Sequence, residues 1–286
     1  MQIIKDFGRL IKFRVNVVVV FSSIIGYLIA ANGNNIQLSE IIGLMFGGFF
    51  TTGAAHAINQ LYEKDFDAVM DRTKDRPLPA KRMSVNQVRL YALIMTIMGA
   101  LSFALLNNTL TLIIGLSSLL IYSYIYTPLK RKSPIAVVIG AIPGALPPTI
   151  GYIAFTGYID NIAIFLFLFQ FLWQFPHFWS IAWIWNDEYS KAGYDLLPAK
   201  KGRTIKNAYL TFISSLTLIP VLMLFYSNIH INIFYFLLII MLTFWFNIKA
   251  YSFYKNPDVN YAKKLMLSSV IYLPLVQIIF VMAFWK

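Results

Sequence analysis

No cysteine occurs in the 286 residues. That excludes disulfides, thiolate catalysis, cysteine-ligated zinc or iron–sulfur centres, and covalent c-type haem attachment. Acids are scarce as well: 12 Asp and Glu stand against 24 Lys and Arg, for a formal net charge of +12. Histidine occurs three times. The chain has no low-complexity tract, no short-period repeat and no composition break that would mark a domain boundary. Residues 1–286 therefore read as a single domain.

What is abundant is apolar. The chain is 58% hydrophobic, with a mean hydropathy of +0.65. Soluble domains run at about 45–50%, so this composition belongs to a membrane. A spanning helix needs about 20 mainly apolar residues. Nine such runs are present: 15–31, 40–61, 88–106, 109–127, 134–155, 162–185, 207–226, 230–249 and 265–285. The first lacks a signal-peptide cleavage pattern, and its basic residues lie on its N-terminal side only. With nine spans, 23 of the 24 basic residues fall on one side and only Lys286 on the other. Lys200 and Lys201 belong to the larger set. The bias predicts a cytoplasmic N-terminus and an outer C-terminus. It also accounts for the net charge without nucleic acid, with attraction to membrane lipid as a secondary effect.

The acids are concentrated. Five of the 12 lie between Glu63 and Asp75, at the end of the second span. There Asn59, Glu63 and Asp67 recur at i, i+4 and i+8, so they share one helical face, and Asp71 drifts only partly off it. Oxygen ligands stacked in this way suit Mg²⁺, which takes one or two carboxylates, waters and substrate phosphates. Arg72, Lys74, Arg76, Lys81 and Arg82 follow at once. Acid-held metal beside bases is equipment for gripping a diphosphate; a solvated loop would explain the bases alone. His56, one turn before Asn59, is placed to orient it.

A second cluster ends the sixth span. His177 lies inside an apolar run, followed by Asp187, Glu188, Tyr189, Lys191 and Asp195. An ionisable residue within a span is a functional candidate by default. Asp187 and Glu188 are placed to form a second wall opposite the first ladder. The aromatic run Trp173, Phe175, Phe178, Trp179, Trp183 and Trp185 either meets lipid or walls a site for a flat ring system. Pro143, Pro147 and Pro148 interrupt the fifth span, where neighbours or a cavity must satisfy the freed carbonyls. The small residues of Gly43–Gly48 (GLMFGG) permit close helix packing. His230, in an outer loop, receives no role. The two long inner loops, 62–87 and 186–206, hold the acids and bases, so the chemistry belongs at the inner face.

The segment NQLYEKDFDAVMDRTKDRPLP resembles the first aspartate-rich motif of the UbiA superfamily of membrane prenyltransferases. YTPLKRKSP, IGAIPGALPPTIGY and WQFPHFWSIAWIWNDEY followed by KAGYDLLP resemble the branch of that family that acts on haem. The chain carries Glu63 where members usually have Asp, and Ile184-Trp-Asn-Asp187-Glu188 where they usually have D-x3-D. The resemblance implies an all-α bundle of nine helices around a central cavity, capped by the two inner loops. It implies transfer of farnesyl from farnesyl diphosphate to a vinyl group of haem B. Asn59, Glu63, Asp67, Asp71 and Glu188 would hold Mg²⁺, with Asp187 beside them. Arg72, Lys74, Arg76, Lys130, Lys132, His177, Tyr189 and Arg203 would contact substrate. A bacterial inner membrane and delivery toward terminal-oxidase assembly proteins are further implications, since no transit peptide precedes the first span. The competing readings are a quinone-pathway aromatic prenyltransferase, a transporter with a midplane site, and a scaffold without catalysis.

Overall fold

The computed structural model describes residues 2–199, 202–229 and 231–285; Met1, Lys200, Lys201, His230 and Lys286 lie outside the described residues. Regular structure among the described residues is helical throughout. A short helix, α1 (Gln2–Leu10), precedes nine helices long and apolar enough to cross a membrane. They are α2 (Phe13–Ala31), α3 (Leu38–Asp67), α4 (Val85–Leu106), α5 (Thr109–Leu129), α6 (Ala136–Thr156) and α7 (Asn161–Ile184), and, after the short α8 (Asn186–Lys191), α9 (Ile205–Asn228), α10 (Ile233–Lys255) and α11 (Val259–Phe284). The protein is a multi-pass membrane protein with the expected all-α architecture.

Three helices overrun the hydropathy limits by six residues at one end: α3, α10 and α11. α3 continues to Asp67, and two of its terminal acids, Glu63 and Asp67, are ion-paired with Lys130 and Arg76. α11 begins early because the Asp258 carboxylate accepts the Tyr261 N–H at 2.9 Å, a side-chain cap.

The spans close into a ring. α2 packs on α3, α6 and α11; α3 on α4; α4 on α5; α5 on α6; α6 on α7; and α7 on α9 and α11, with α10 outside. The α2–α6 crossing demands glycine. A Cβ on Gly26 would sit 1.8 Å from Pro148 O, and one on Gly151 1.7 Å from Ser23 O. Within GLMFGG, a Cβ on Gly47 would lie 2.4 Å from the Phe103 ring, so these small residues do pack α3 closely on α4.

α6 stays helical through its three prolines, and at two of them a side chain takes over the lost bond. Pro148 frees Gly144 O, which accepts Gln170 Nε2 at 2.8 Å; Pro147 frees Pro143 O, which Ser118 Oγ approaches at 3.5 Å. In α5, Ile121–Tyr126 form a π-helical turn. The Thr127 hydroxyl donates to Tyr122 O at 2.8 Å and steadies this wider turn. Two connections, 68–84 and, as far as it is described, 185–199, cover one end of the ring and meet through buried Met70, Ala192 and Tyr194.

Candidate active site

The ring encloses a cavity of about 440 Å³. Its covered end is polar: Lys12, Glu63, Asp67, Arg72, Arg76 and Lys130 line it there, with Tyr122, Tyr126, Tyr189 and Tyr194. Deeper, Pro143, Pro147, Trp173, His177 and Phe178 form its walls.

α3 supplies three rungs of the predicted ladder. Asn59 is fully buried, and its Nδ2 donates to Thr127 Oγ1 at 3.1 Å. Glu63 accepts from Lys130 Nζ at 2.8 Å, and that ammonium also lies 4.5 Å from the Tyr126 ring centroid. Asp67 Oδ2 accepts from Arg76 at 2.6 Å, with only 1% of the Asp67 side chain exposed. The loop that carries Arg76 folds back because Thr73 Oγ1 donates to Asp67 O at 3.0 Å, capping α3. Two oxygens are left over: Asn59 Oδ1 and Asp67 Oδ1 are buried without a partner among the described residues. Such atoms are costly unless something binds them.

Asp71 leaves the face entirely, because α3 stops at Asp67 and the chain turns. Its carboxylate is exposed and takes Lys74 at 2.6 Å and Lys191 at 2.9 Å. Those hydrogen bonds, from Lys74 first and then Lys191, hold its pKa down to about 2. Its backbone N–H donates to Glu188 Oε2 at 2.6 Å. Lys191 also pairs with Glu188, whose carboxyl it pulls below the usual range. Asp71 and Glu188 are thus brought together at the rim, bridged by one lysine. Asp187 is not with them: its side chain is 75% exposed and pairs with Arg203. Arg203 does not line the cavity. It donates to Trp183 O and Ile184 O, the last carbonyls of α7, and so caps that helix.

Of the other predicted contacts, Arg72 lies over the rings of Trp185 and Tyr189, 5.4 and 5.3 Å from their centroids. Lys74 stays at the rim with Asp71. Lys132 lines a separate recess beside Arg131, outside the main cavity. His56 does not orient Asn59: neither ring nitrogen has a partner among the described residues, and Thr127 does that work. The aromatic run divides. Trp173 and Phe178 face the cavity, whereas Trp183 packs into the core on Phe253.

Sequence reading missed several residues. Lys12 sits between α1 and α2 at φ 49°, a left-handed conformation uncommon for lysine. The Gln60 amide fixes it there by donating to Arg9 O and Leu10 O at 3.1 and 2.8 Å. Burial, then the charges of Arg76 and Lys130, push the Lys12 pKa down to about 7. Tyr122 and Tyr126 precede the expected Lys130 at a spacing of i, i+4 and i+8, and that spacing was the available signal for the two tyrosines.

The pattern of the UbiA prenyltransferase family matches residues 19–271. The chain belongs to the UbiA prenyltransferase family. As a UbiA member it is a prenyltransferase. It is 42% identical over 276 residues to a protoheme IX farnesyltransferase of Cytophaga hutchinsonii, covering 96% of both chains. It is 36% identical to the protoheme IX farnesyltransferase of Flavobacterium psychrophilum, covering 98% of this chain and 95% of that one. Solved UbiA structures share the fold. One described for digeranylgeranylglyceryl phosphate synthase has a TM-score of 0.81 at 22% identity, covering 99% of each chain. An Archaeoglobus fulgidus UbiA homolog bound to GPP and Mg²⁺ has a TM-score of 0.66 at 17% identity, covering 96% of this chain and 99% of that one.

Proposed function

We propose that this protein transfers the farnesyl group of farnesyl diphosphate to a vinyl group of haem B, giving haem O and diphosphate. The observation that carries the reading is the 42% identity to a protoheme IX farnesyltransferase along 96% of both chains. The cavity agrees in kind, with charge at its covered end and aromatic walls below.

The residues fit Mg²⁺. Asn59 Oδ1 and Asp67 Oδ1 are buried hard oxygens without partners among the described residues, and Glu63 stands between them on the same face. Mg²⁺ needs few protein ligands when phosphate oxygens and waters complete its shell. Asn59, Glu63 and Asp67 would hold it, with Asp71 and Glu188 nearer the rim. When bound, the metal supplies positive charge against the diphosphate oxygens. Lys12, Arg72, Arg76 and Lys130 grip the same diphosphate and stabilise the charge that grows on it as the allylic C–O bond breaks. Trp173, Phe178 and the proline-bearing wall of α6 keep water from the allylic cation. The vinyl group attacks that cation, and water then adds to the resulting carbon and releases a proton. His177 and Tyr189 line the space the macrocycle occupies.

The excess of basic residues in the loops at the covered end supports a cytoplasmic N-terminus and an outer C-terminus in a bacterial inner membrane. Both substrates reach the site from the membrane phase or its surface, and haem O leaves toward terminal-oxidase assembly proteins. The test is direct. Purified protein with haem B, farnesyl diphosphate and Mg²⁺ yields a product of haem O mass, and Asp67→Ala does not. Prenylation of an aromatic acid instead of haem would move the chain to the quinone branch. Turnover of neither substrate would overturn the reading.

A further inference from the structure

His177 lines the cavity from α7, about 10 Å from that helix's C-terminal end at a rise of 1.5 Å per residue. Its ring stacks on Trp173, with centroids 4.8 Å apart and planes 15° from parallel. One residue of α11 holds both. The backbone carbonyl of Ser269 accepts Trp173 Nε1–H at 3.2 Å, and the Ser269 hydroxyl lies 2.6 Å from His177 Nδ1. Ser269 itself is fully buried.

A hydroxyl has one hydrogen to donate and lone pairs with which to accept. The Ser269 hydrogen is already used, because Ser269 Oγ donates to Met266 O on the preceding turn at 2.5 Å. Two oxygens that close need the hydrogen between them. Toward His177 the hydroxyl can only accept, so Nδ1 carries the imidazole hydrogen. In neutral imidazole the other nitrogen is then bare. Nε2 makes no hydrogen bond among the described residues, and the ring borders the cavity.

We infer that Ser269 is a positioning residue: it locks His177 in the Nδ1–H tautomer and aims the Nε2 lone pair at the iron of the haem substrate. The inference rests on the haem reading above. A lone pair in an apolar pocket needs a hydrogen donor or a metal centre. The farnesyl chain offers neither, whereas haem brings iron with open axial positions. A metal-bound histidine whose second nitrogen donates to a fixed acceptor is a recurrent arrangement, and loss of the acceptor costs about 10–100-fold in affinity.

The experiment titrates ferric haem B into the purified full-length protein in detergent, read by Soret absorption and electron paramagnetic resonance. Wild type and Ser269→Thr, which keeps the hydroxyl, bind with an imidazole-ligated signature. His177→Ala loses that signature. Ser269→Ala binds about 10–100-fold more weakly, with a broadened signal, because the ring is no longer fixed. Ser269→Ala retains the carbonyl that holds Trp173, so unchanged tryptophan fluorescence certifies its fold. Wild-type affinity and signature in Ser269→Ala would overturn the assignment, as would an imidazole signature that survives in His177→Ala. Either result with haem O still formed by wild type removes only this inference. Absence of haem O from wild type removes the parent reading with it.

Discussion

Asp67→Asn separates two tasks that one carboxylate performs. Asp67 Oδ2 accepts from Arg76 at 2.6 Å, while Oδ1 is buried and free of any partner among the described residues. Asparagine keeps the shape and one oxygen. With that oxygen toward Arg76, the hydrogen bond survives, and an NH2 group replaces the free Oδ1. The variant should therefore fold, losing about 1 kcal/mol as a hydrogen bond between two charged groups keeps only the arginine's charge. Its free position changes from oxygen acceptor to donor, which neither a cation nor a phosphate-bound metal accepts. Removing one preorganised charge-stabilising contact typically costs about 10²–10³ in kcat, or about 3–4 kcal/mol of barrier. Initial rates of haem O formation against Mg²⁺ concentration measure the catalytic loss. Thermal unfolding in detergent measures the structural one. A rate within about threefold of wild type, with unchanged Mg²⁺ dependence, would refute Asp67 as a ligand, since that is far less than the loss of one such contact.

The Glu63–Lys130 pair is buried, so Glu63→Gln alone should destabilise by about 3–5 kcal/mol by stranding the ammonium, and Glu63→Gln with Lys130→Met should cost less than the separate losses added; denaturant unfolding in micelles checks both. Lys12 has a folded pKa near 7 against an ordinary 10.5. Between those values the unfolded chain binds the proton and the folded one does not, so stability should rise with pH across that window and be lost as pH falls through about 7. Farnesyl diphosphate should draw the proton back, so calorimetry in buffers of different ionisation enthalpy should show proton uptake above about pH 7, and none in Lys12→Met. Gly151→Ala would place a Cβ 1.7 Å from Ser23 O and force α2 from α6, whereas Gly8→Ala meets nothing within 4 Å. The first should lose about 3 kcal/mol or more and run as aggregate on size exclusion, with the second as a monodisperse control.

The helices were legible because hydropathy over about 20 residues is a strong signal. The first ladder was legible because a 3.6-residue period puts Asn59, Glu63 and Asp67 on one face wherever the helix lies. Asp71 was misplaced by the same rule, since spacing does not say where a helix ends; the cap from Thr73 decides that. Ion-pair partners were not legible. Glu63 meets Lys130 across 67 residues of chain, and Arg203 turns to the end of α7 rather than to the cavity. Tyr122, Tyr126 and Lys130 share the ladder's spacing, yet aromatic residues so spaced in a membrane helix ordinarily meet lipid. Here they line the cavity instead, from a π-helical turn of α5 that no residue in IYSYIY announces.

Lys12, the one base of the cavity that sequence reading missed, completes the charge state of the site. Lys12, Arg72, Arg76 and Lys130 line the cavity against only Glu63 and Asp67, an excess of two formal positive charges. Buried like charges are unfavourable at low dielectric. The cavity meets that cost partly by loosening the proton on Lys12. Two oxygens, on Asn59 and Asp67, are meanwhile left without donors among the described residues. A cation alone would satisfy the oxygens and worsen the charge excess. A bare anion would relieve the charge and leave the oxygens. A metal-bound diphosphate answers both at once, and this joint requirement ties the ladder of α3 to the bases that surround it.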